Sequence, residues 1–405
     1  MTARDGWACL QLGAREHYAI PRSLHRTGRL RELLTDTWVP PGSVLTRLPR
    51  GKRLAGRYHL DLAAARVAAP MASSALFELR SRLAGSSGCW TRILARNAFF
   101  QCWAAKHLAA VQDPDLRVFA YSYAARTVLQ LARDRGWFTV LGQIDPGELE
   151  EQLVAEEHRR YPQFASGWRP APPAYWQAWR QELDLADRIV VNSQWSLRCL
   201  REQGVPQSKL RLIPLVYEPS ELPTQQPPDA SFRSGSPFQL LFLGTIGLRK
   251  GIGRLLEAMR LLEGKPVRLT LAGPTELDCA AWRDRRNIRW LGSVPRSMVG
   301  TLYRGADAMI LPTLTDGFGL TQLEALAHGC PVIASLHCGV VVAPGINGWL
   351  LEDLEPATIA TTILAAAQTA ADLRRPLAMP AFGLQNLGAA ISELPANSTQ
   401  TVATP

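Results

Sequence analysis

The residues best suited to chemistry lie in one run, TDGFGLTQLEAL at positions 315–326. Two carboxylates in it, Asp316 and Glu324, are about two helical turns apart, so both can border the same cleft. Between them, Gly317 and Gly319 open a predicted helix over 320–327, and the first backbone N–H groups of a helix favour an anion. The pattern predicts a site for a ligand that carries hydroxyl groups and negative charge. The alternative is a capping acid followed by an ordinary helical glutamate.

A second candidate group, GTIGLRKG at positions 244–251, follows a predicted buried strand. Gly244 lets the backbone approach a ligand closely, because it has no side chain. Arg249 and Lys250 place positive charge at the start of the next predicted helix. This combination suits a diphosphate, although an ordinary basic turn is the alternative.

Composition limits the classes of function. The chain has 405 residues, which predicts two or three domains, and 47% apolar residues, which excludes a disordered chain. Seven cysteines without a CxxC pair predict reduced thiols rather than a disulfide scaffold. His328, Cys330, His337 and Cys338 are close in sequence, but adjacent side chains on an extended segment point apart, so we expect no metal site.

Positive charge is concentrated near the start of the chain. Residues 1–60 hold eleven Lys or Arg and four Asp or Glu, within a chain of net charge +10. Such a region suits an anionic substrate, an anionic membrane or nucleic acid, and a solvated surface is the alternative. Arg22, Arg26 and Arg29 are predicted to share one face of the first helix, where they could contact an anionic membrane. We expect no nucleic-acid partner, since no recognised nucleic-acid motif is present.

The first 20 residues lack the pattern of a signal peptide, and no apolar stretch is suited to a membrane span. We therefore expect a cytoplasmic protein, at most peripheral at the inner membrane surface. A proline-rich run at 218–237 predicts a linker between an amino domain at 1–217 and a carboxyl domain at 238–375. Apolar strands alternate with helical patterns in both, which indicates two doubly wound α/β domains with ligands at the carboxyl ends of the strands.

The combined pattern resembles the retaining GT-B glycosyltransferases of family 4, the glycosyl transferases group 1. The resemblance covers about 186–355 and is carried by ADAMILPTLTDGFGLTQLEALAHGCPVIAS at 306–335, with its acid-x7-acid signature, and by RKG at 249–251. It implies two Rossmann-like domains that face a central cleft and a terminal helix within 376–397 that crosses back to the amino domain. The sequence at 398–405 by itself predicts a disordered tail.

The resemblance also implies a function: metal-independent, cofactor-free transfer of a sugar from a nucleotide-diphosphate sugar to a carbohydrate or lipid-linked acceptor, with retained anomeric configuration. Three departures from the family pattern, one of them the absence of a histidine in the amino domain, are the basis of an alternative, a non-catalytic nucleotide-sugar-binding subunit of a glycan-assembly system. Thr245 stands where many relatives have arginine, and Asp316 replaces the usual glutamate.

Roles for single residues follow from the same resemblance. Glu324 is expected to bind the ribose hydroxyls, Asp316 the hydroxyls of the donor sugar, and Lys250 with Arg249 the departing diphosphate. The other expected donor contacts are Gly13, Gly244, Thr245, Gly317, Phe318, Gly319 and Leu320. The family often has a histidine in the amino domain near the reacting carbon, and the corresponding strand end here carries Gln143 and Asp145. The expected acceptor-side residues are Gln143, Asp145, Glu16 and His17.

Overall fold

The computed structural model describes residues 6–43, 54–83, 89–164, 167–218, 236–278, 282, 285–377 and 380–394. Most of the predicted linker at 218–237 and all of the predicted tail at 398–405 lie outside these described residues.

Two parallel sheets form the framework, one in each half of the chain. The amino sheet has the strand order β3-β2-β1-β4-β5-β6-β7 and the carboxyl sheet the order β10-β9-β8-β11-β12-β13. The amino-sheet strands are β1 (Trp7–Gln11), β2 (Leu30–Thr35), β3 (Val67–Ala68), β4 (Arg117–Tyr121), β5 (Phe138–Gln143), β6 (Arg188–Val191) and β7 (Leu210–Leu212). The carboxyl-sheet strands are β8 (Phe238–Leu243), β9 (Val267–Ala272), β10 (Ile288–Trp290), β11 (Ala308–Leu311), β12 (Val332–Ser335) and β13 (Gly348–Leu351).

Helices connect and cover these strands. They are α1 (Ala19–Arg26), α2 (Met71–Leu83), α3 (Cys89–Ala109), α4 (Arg126–Asp134), α5 (Glu148–Arg160), α6 (Pro173–Leu185), α7 (Gln194–Glu202), α8 (Ile252–Leu261), α9 (Arg296–Gly305), α10 (Thr321–Ala327), α11 (Pro356–Leu373) and α12 (Leu384–Glu393). The central strands β11 and β12 are buried along their whole length, which explains their continuous apolar sequence. The predicted fold class, two doubly wound α/β domains, is confirmed.

The two halves of the chain are in direct contact. Arg254 on α8 donates from Nε and Nη2 to the carboxylate of Glu157 on α5, at 2.8 and 2.9 Å. Tyr161, just after α5, donates its hydroxyl to Glu257 at 3.0 Å. The last helix, α12, packs against α1 in an apolar cluster that includes Ile20, Leu24, Leu387 and Ile391. The last described helix, α12, therefore packs on the amino domain.

The predicted basic face of the first helix is wrong. Glu16, His17 and Tyr18 have positive φ angles, so the α-helix begins only at Ala19, and it ends at Arg26 before Arg29. Arg22 is 5% exposed, and it forms ion pairs with Asp61 and Glu218. Arg26 pairs with the same two carboxylates. These partners neutralise the arginines, and the first helix offers no basic face of the predicted kind.

Candidate functional site

Three of the four charged residues predicted at the donor site come together at the carboxyl edge of the second sheet. Lys250 forms an ion pair with the carboxylate of Asp316, and Arg249 Nη1 lies 3.5 Å from Asp316 Oδ1. Both cations follow β8, and Asp316 follows β11, the strand beside β8. Neighbouring parallel strands end at the same edge of a sheet, so the topology explains the meeting.

Local backbone structure fixes the two cations. A short 3₁₀ turn, Leu248–Lys250, ends at Gly251, whose φ of 72° lies in the left-handed region. A Cβ at Gly251 would lie only 1.8 Å from the carbonyl oxygen of Pro312, so only glycine lets the turn pack on the end of β11. The N–H of Leu314 donates to the carbonyl of Arg249 at 3.0 Å. The cationic turn and the loop that carries Asp316 are thereby held together.

The charge of Asp316 is stabilised by this arrangement. Burial by itself disfavours ionisation, but the nearby Lys250 and Arg249 outweigh it and hold the pKa of Asp316 below its ordinary value. The site therefore presents an ionised carboxylate between two cations.

Glu324 lies apart from this group, on α10. Its carboxylate accepts a hydrogen bond from the hydroxyl of Tyr303 at 3.1 Å. Burial raises the pKa of Glu324, while Tyr303 and the positive charge of Arg296 oppose the rise. Tyr303 is thus a partner for an acid that the sequence places on an apolar helix. The helix α10 begins at Thr321, one residue later than predicted.

The loop between Asp316 and α10 packs against the amino domain. A Cβ at Gly317 would lie 2.1 Å from the carbonyl oxygen of Ile144, so glycine is required here by the other domain. Trp195 Nε1 donates to Thr315 Oγ1 at 3.0 Å across the same interface. Gly319 has a φ of 78°, in the left-handed region. The loop glycines therefore have packing and conformational reasons in addition to the predicted contact with a donor.

The other predicted donor contacts are placed as follows. The N–H of Gly244 donates to the carbonyl of Ala272 at 3.0 Å, which ties the first turn after β8 to β9. Thr245 and Leu320 are half-buried, and the ring of Phe318 is buried against Phe382. Gly13, after β1, donates its N–H to Asp36 Oδ1 at 2.7 Å. The carboxylate of Asp36 thus accepts a hydrogen bond from the backbone amide that was expected to contact the donor phosphates.

Gln143, predicted as an acceptor-side group, is engaged in hydrogen bonds inside the amino domain. Its side chain is buried, Nε2 donates to Asp145 Oδ1 at 3.0 Å, and Oε1 accepts from Trp179 Nε1 at 3.0 Å. Both atoms of its amide group therefore have protein partners, one of which is Asp145. Asp145 also accepts from the hydroxyl of Tyr123 at 2.5 Å, and it lines a cavity beside Arg249. Burial raises the pKa of Asp145.

The two predicted residues after the Gly13 turn have different surroundings. Glu16 accepts a hydrogen bond from the hydroxyl of Tyr121 at 3.1 Å, and burial raises its pKa. His17 is exposed, and its Nε2 lies 3.3 Å from Nη1 of Arg296 in the carboxyl domain. His17 therefore lies where the two domains meet, and its acceptor-side role stays a prediction.

Sequence reasoning missed Glu150, a carboxyl group of the amino domain beside Arg249. Thr315 Oγ1 donates to its Oε2 at 3.2 Å, and Arg249 Nη1 lies 3.9 Å from its Oε1. Burial and the negative charge of Asp145 raise the pKa of Glu150 to about 8, although Arg249 opposes the rise. Glu150 stands among other acids in the run ELEEQL, and nothing in that run distinguishes it.

Within the described residues, no three His, Cys, Asp or Glu side chains converge in a way that could hold a metal ion. In the same part of the chain, each helix is too short or too polar to cross a bilayer.

Comparisons with known proteins agree with this geometry. Residues 237–369 match the family model described as Glycosyl transferases group 1. A D-inositol 3-phosphate glycosyltransferase of Mycolicibacterium gilvum is 30% identical over 217 residues, 49% of each chain. An uncharacterized glycosyltransferase of Methanocaldococcus jannaschii is 31% identical over 130 residues, 30% of this chain and 33% of the relative. The match thus spans between a third and a half of the length of these two relatives.

Solved structures resemble the whole chain. Sucrose-phosphate synthase of Thermosynechococcus elongatus has a TM-score of 0.61 at 18% identity, with 97% of this chain and 98% of that chain covered. Anabaena HepE in complex with UDP and glucose has a TM-score of 0.61 at 15% identity, with 96% and 99% covered. Residues 237–369 are therefore similar to the glycosyl transferases group 1 family, and the chain has the GT-B fold.

Proposed function

We propose that this chain is a retaining glycosyltransferase that moves a sugar from a nucleotide-diphosphate sugar to an acceptor hydroxyl without a metal ion. The observation that carries the proposal is the grouping of Arg249, Lys250 and Asp316 at the sheet edge that faces the amino domain. Two cations suit a diphosphate, and an ionised carboxylate suits the hydroxyls of a sugar.

In this proposal, the bound donor replaces the ion pair that Lys250 and Asp316 form with each other. The diphosphate takes the place of Asp316 beside Lys250, and the sugar hydroxyls donate to the carboxylate that Lys250 has left. Lys250 keeps a charged partner in the diphosphate, and Asp316 accepts hydrogen bonds from the sugar hydroxyls beside Arg249, whose Nη1 lies 3.5 Å from its Oδ1, so neither buried charge is left without a partner. Glu324 keeps one interaction with Tyr303 and accepts from the ribose hydroxyls. Since HepE was solved with UDP and glucose, UDP-glucose is the first donor to test.

The proposed chemistry is electrostatic. Negative charge grows on the leaving phosphate as the glycosidic bond breaks, and Lys250 and Arg249 are positioned to stabilise it. The acceptor oxygen forms its bond to the anomeric carbon on the face that the diphosphate leaves. The acceptor proton passes to the leaving phosphate oxygen. Attack on that face gives a product with the anomeric configuration of the donor.

The proposed partners remain a carbohydrate or lipid-linked acceptor, and the proposed location remains the cytoplasm. Contact with an anionic membrane would need basic residues other than Arg22, which is buried.

The test is a transfer assay with the full chain. Nucleoside diphosphate release is measured with a panel of nucleotide-diphosphate sugars, beginning with UDP-glucose, with and without EDTA. The anomeric configuration of the product is read by NMR. Release that survives EDTA and a product that keeps the donor configuration support the proposal. Donor binding without release across the panel would favour a non-catalytic binding subunit, and a strict metal requirement would overturn the metal-free mechanism.

A further inference from the structure

A second cavity lies at the carboxyl edge of the amino sheet and encloses about 220 Å³. The ends of β1, β4 and β5 form it together with α3. In parallel α/β sheets this edge is where ligands bind. No role has so far been assigned to most of the side chains around this cavity.

Three side chains that line the cavity carry oxygen atoms that lack a partner in the described part of the chain. They are Gln11, Asn97 and Ser122, each more than nine-tenths buried, with Oε1, Oδ1 and Oγ unpaired. The amide groups of Gln11 and Asn97 cannot rotate to pair these oxygens without losing the hydrogen bonds that their nitrogen atoms donate. Gln11 Nε2 donates to the carbonyl of Gly13 at 2.9 Å, and Asn97 Nδ2 donates to that of Tyr123 at 3.0 Å. A buried polar atom without a partner is costly, so these atoms favour a ligand that offers hydroxyl groups.

Three arginines border the same cavity and give it a positive charge. Arg57 is paired with Asp36 at 2.9 Å. Among the described residues, no carboxylate forms an ion pair with Arg15 or Arg96, and both side chains are exposed. Of the three guanidinium groups at the cavity, Asp36 neutralises only that of Arg57. The guanidinium groups of Arg15 and Arg96 suit a phosphate or carboxylate ligand.

The cavity adjoins the predicted donor loop. Ile144 lines the cavity, and its carbonyl oxygen is the atom that a Cβ at Gly317 would meet at 2.1 Å. A ligand in the cavity is thus separated from the loop that follows Asp316 by the width of one residue. This is the position that a second substrate needs.

We propose that this cavity binds the acceptor, and that the acceptor is a hydroxylated compound that carries a phosphate or carboxylate group. The hydroxyl groups contact Gln11, Asn97 and Ser122, and the anionic group contacts Arg15 and Arg96. The assignment as an acceptor rests on the proposed transferase function, whereas the binding of an anionic polyol does not. A free sugar phosphate and a phosphorylated polyol headgroup on a lipid share this chemistry.

The experiment measures binding to the full chain by isothermal titration calorimetry. The probes are glucose 6-phosphate, glucuronate, glucose and inorganic phosphate. We expect glucose 6-phosphate or glucuronate to bind at least about tenfold more tightly than glucose, as one charge-assisted hydrogen bond provides. Vesicles of phosphatidylcholine with and without phosphatidylinositol distinguish a lipid-borne headgroup from a free polyol.

Three variants locate the binding. Arg15→Gln and Arg96→Gln should each weaken binding of the anionic sugar by about tenfold. Arg92→Gln is the matched control, because Arg92 lies on the same helix as Arg96 and pairs with Glu78 outside the cavity. Ser122→Ala should weaken binding of glucose 6-phosphate and leave that of inorganic phosphate unchanged.

The outcomes separate this proposal from the proposed function. Equal affinity for glucose and its anionic relatives, or an equal loss in the Arg92 control, would overturn the anionic cavity even if donor turnover is intact. Anion binding that depends on Arg15 and Arg96 supports the cavity even if no donor is turned over, in which case the transferase proposal alone fails.

Discussion

Replacing Lys250 by alanine tests the leaving-group role most directly. The ammonium group of Lys250 pairs with Asp316, and each side chain is 15% exposed. Removing one partner of a fully buried pair costs about 3–5 kcal/mol. Because Arg249 stays 3.5 Å from the same carboxylate and the pair is not fully buried, we expect a loss of about 1–3 kcal/mol in unfolding free energy. The variant should therefore still fold.

The effect on transfer should be larger than the effect on donor binding. The charge that Lys250 stabilises grows as the glycosidic bond breaks, so the loss falls mainly on the transition state. By analogy with the loss of one hydrogen-bond donor to a developing oxyanion, we expect kcat to fall by about 10²–10³. Steady-state kinetics with a productive donor measure kcat and KM, and titration measures the donor Kd.

A matched control and a pH measurement complete this test. Lys265→Ala removes an exposed lysine of the same domain and should leave kcat unchanged. In the wild type, the folded pKa of Asp316 is lowered, so its stabilising contribution is present above the ordinary value of 3.8 and is lost in acid. Without Lys250 that loss should begin at a higher pH. A Lys250→Ala variant that keeps the wild-type kcat would refute the leaving-group role.

Three other predictions follow from the same site. Glu324→Ala should raise the donor Kd by about 10- to 100-fold through loss of a charge-assisted hydrogen bond, and unchanged affinity in a folded variant would remove the ribose role. Gly317→Ala should destabilise the chain by about 1–3 kcal/mol, because its Cβ would meet a carbonyl at 2.1 Å. Thermal unfolding measures this loss, and Gly305→Ala is its control, because a Cβ at Gly305 would meet no atom within 4 Å. The folded pKa of Glu150 is raised from 4.5 to about 8, so folding of the wild type should lose stability relative to Glu150→Gln as pH rises through this window, and parallel pH curves would contradict the raised pKa.

Much of the fold, and the grouping of charged residues at the proposed donor site, could be predicted because the signals are local. Apolar runs that end at Gly244 and Gly273 mark β8 and β9, and the carboxyl ends of parallel strands meet at one edge. This rule alone brings Arg249 and Lys250 to Asp316.

The features that sequence reasoning missed depend on distant contacts. Arg22 has the spacing of an exposed basic face, but its partners Asp61 and Glu218 are 39 and 196 positions away. Gln143 stands at a strand end, where a ligand contact is expected, but Trp179, 36 positions away, donates to its amide oxygen. Helical spacing and strand position give no information about such partners.

The position of Arg249 joins domain packing to the proposed binding of the donor. Its guanidinium lies 3.5 Å from Asp316 in its own domain and 3.9 Å from Glu150 in the amino domain. A diphosphate must compete with these two acids for Arg249. Burial and the charge of Asp145 raise the pKa of Glu150, so this acid becomes protonated at a higher pH than an ordinary glutamate and then holds Arg249 less strongly than a carboxylate would. The amino domain thus borders Arg249 with an acid whose ionisation is disfavoured, and a fully ionised Glu150 would bind Arg249 in competition with the donor.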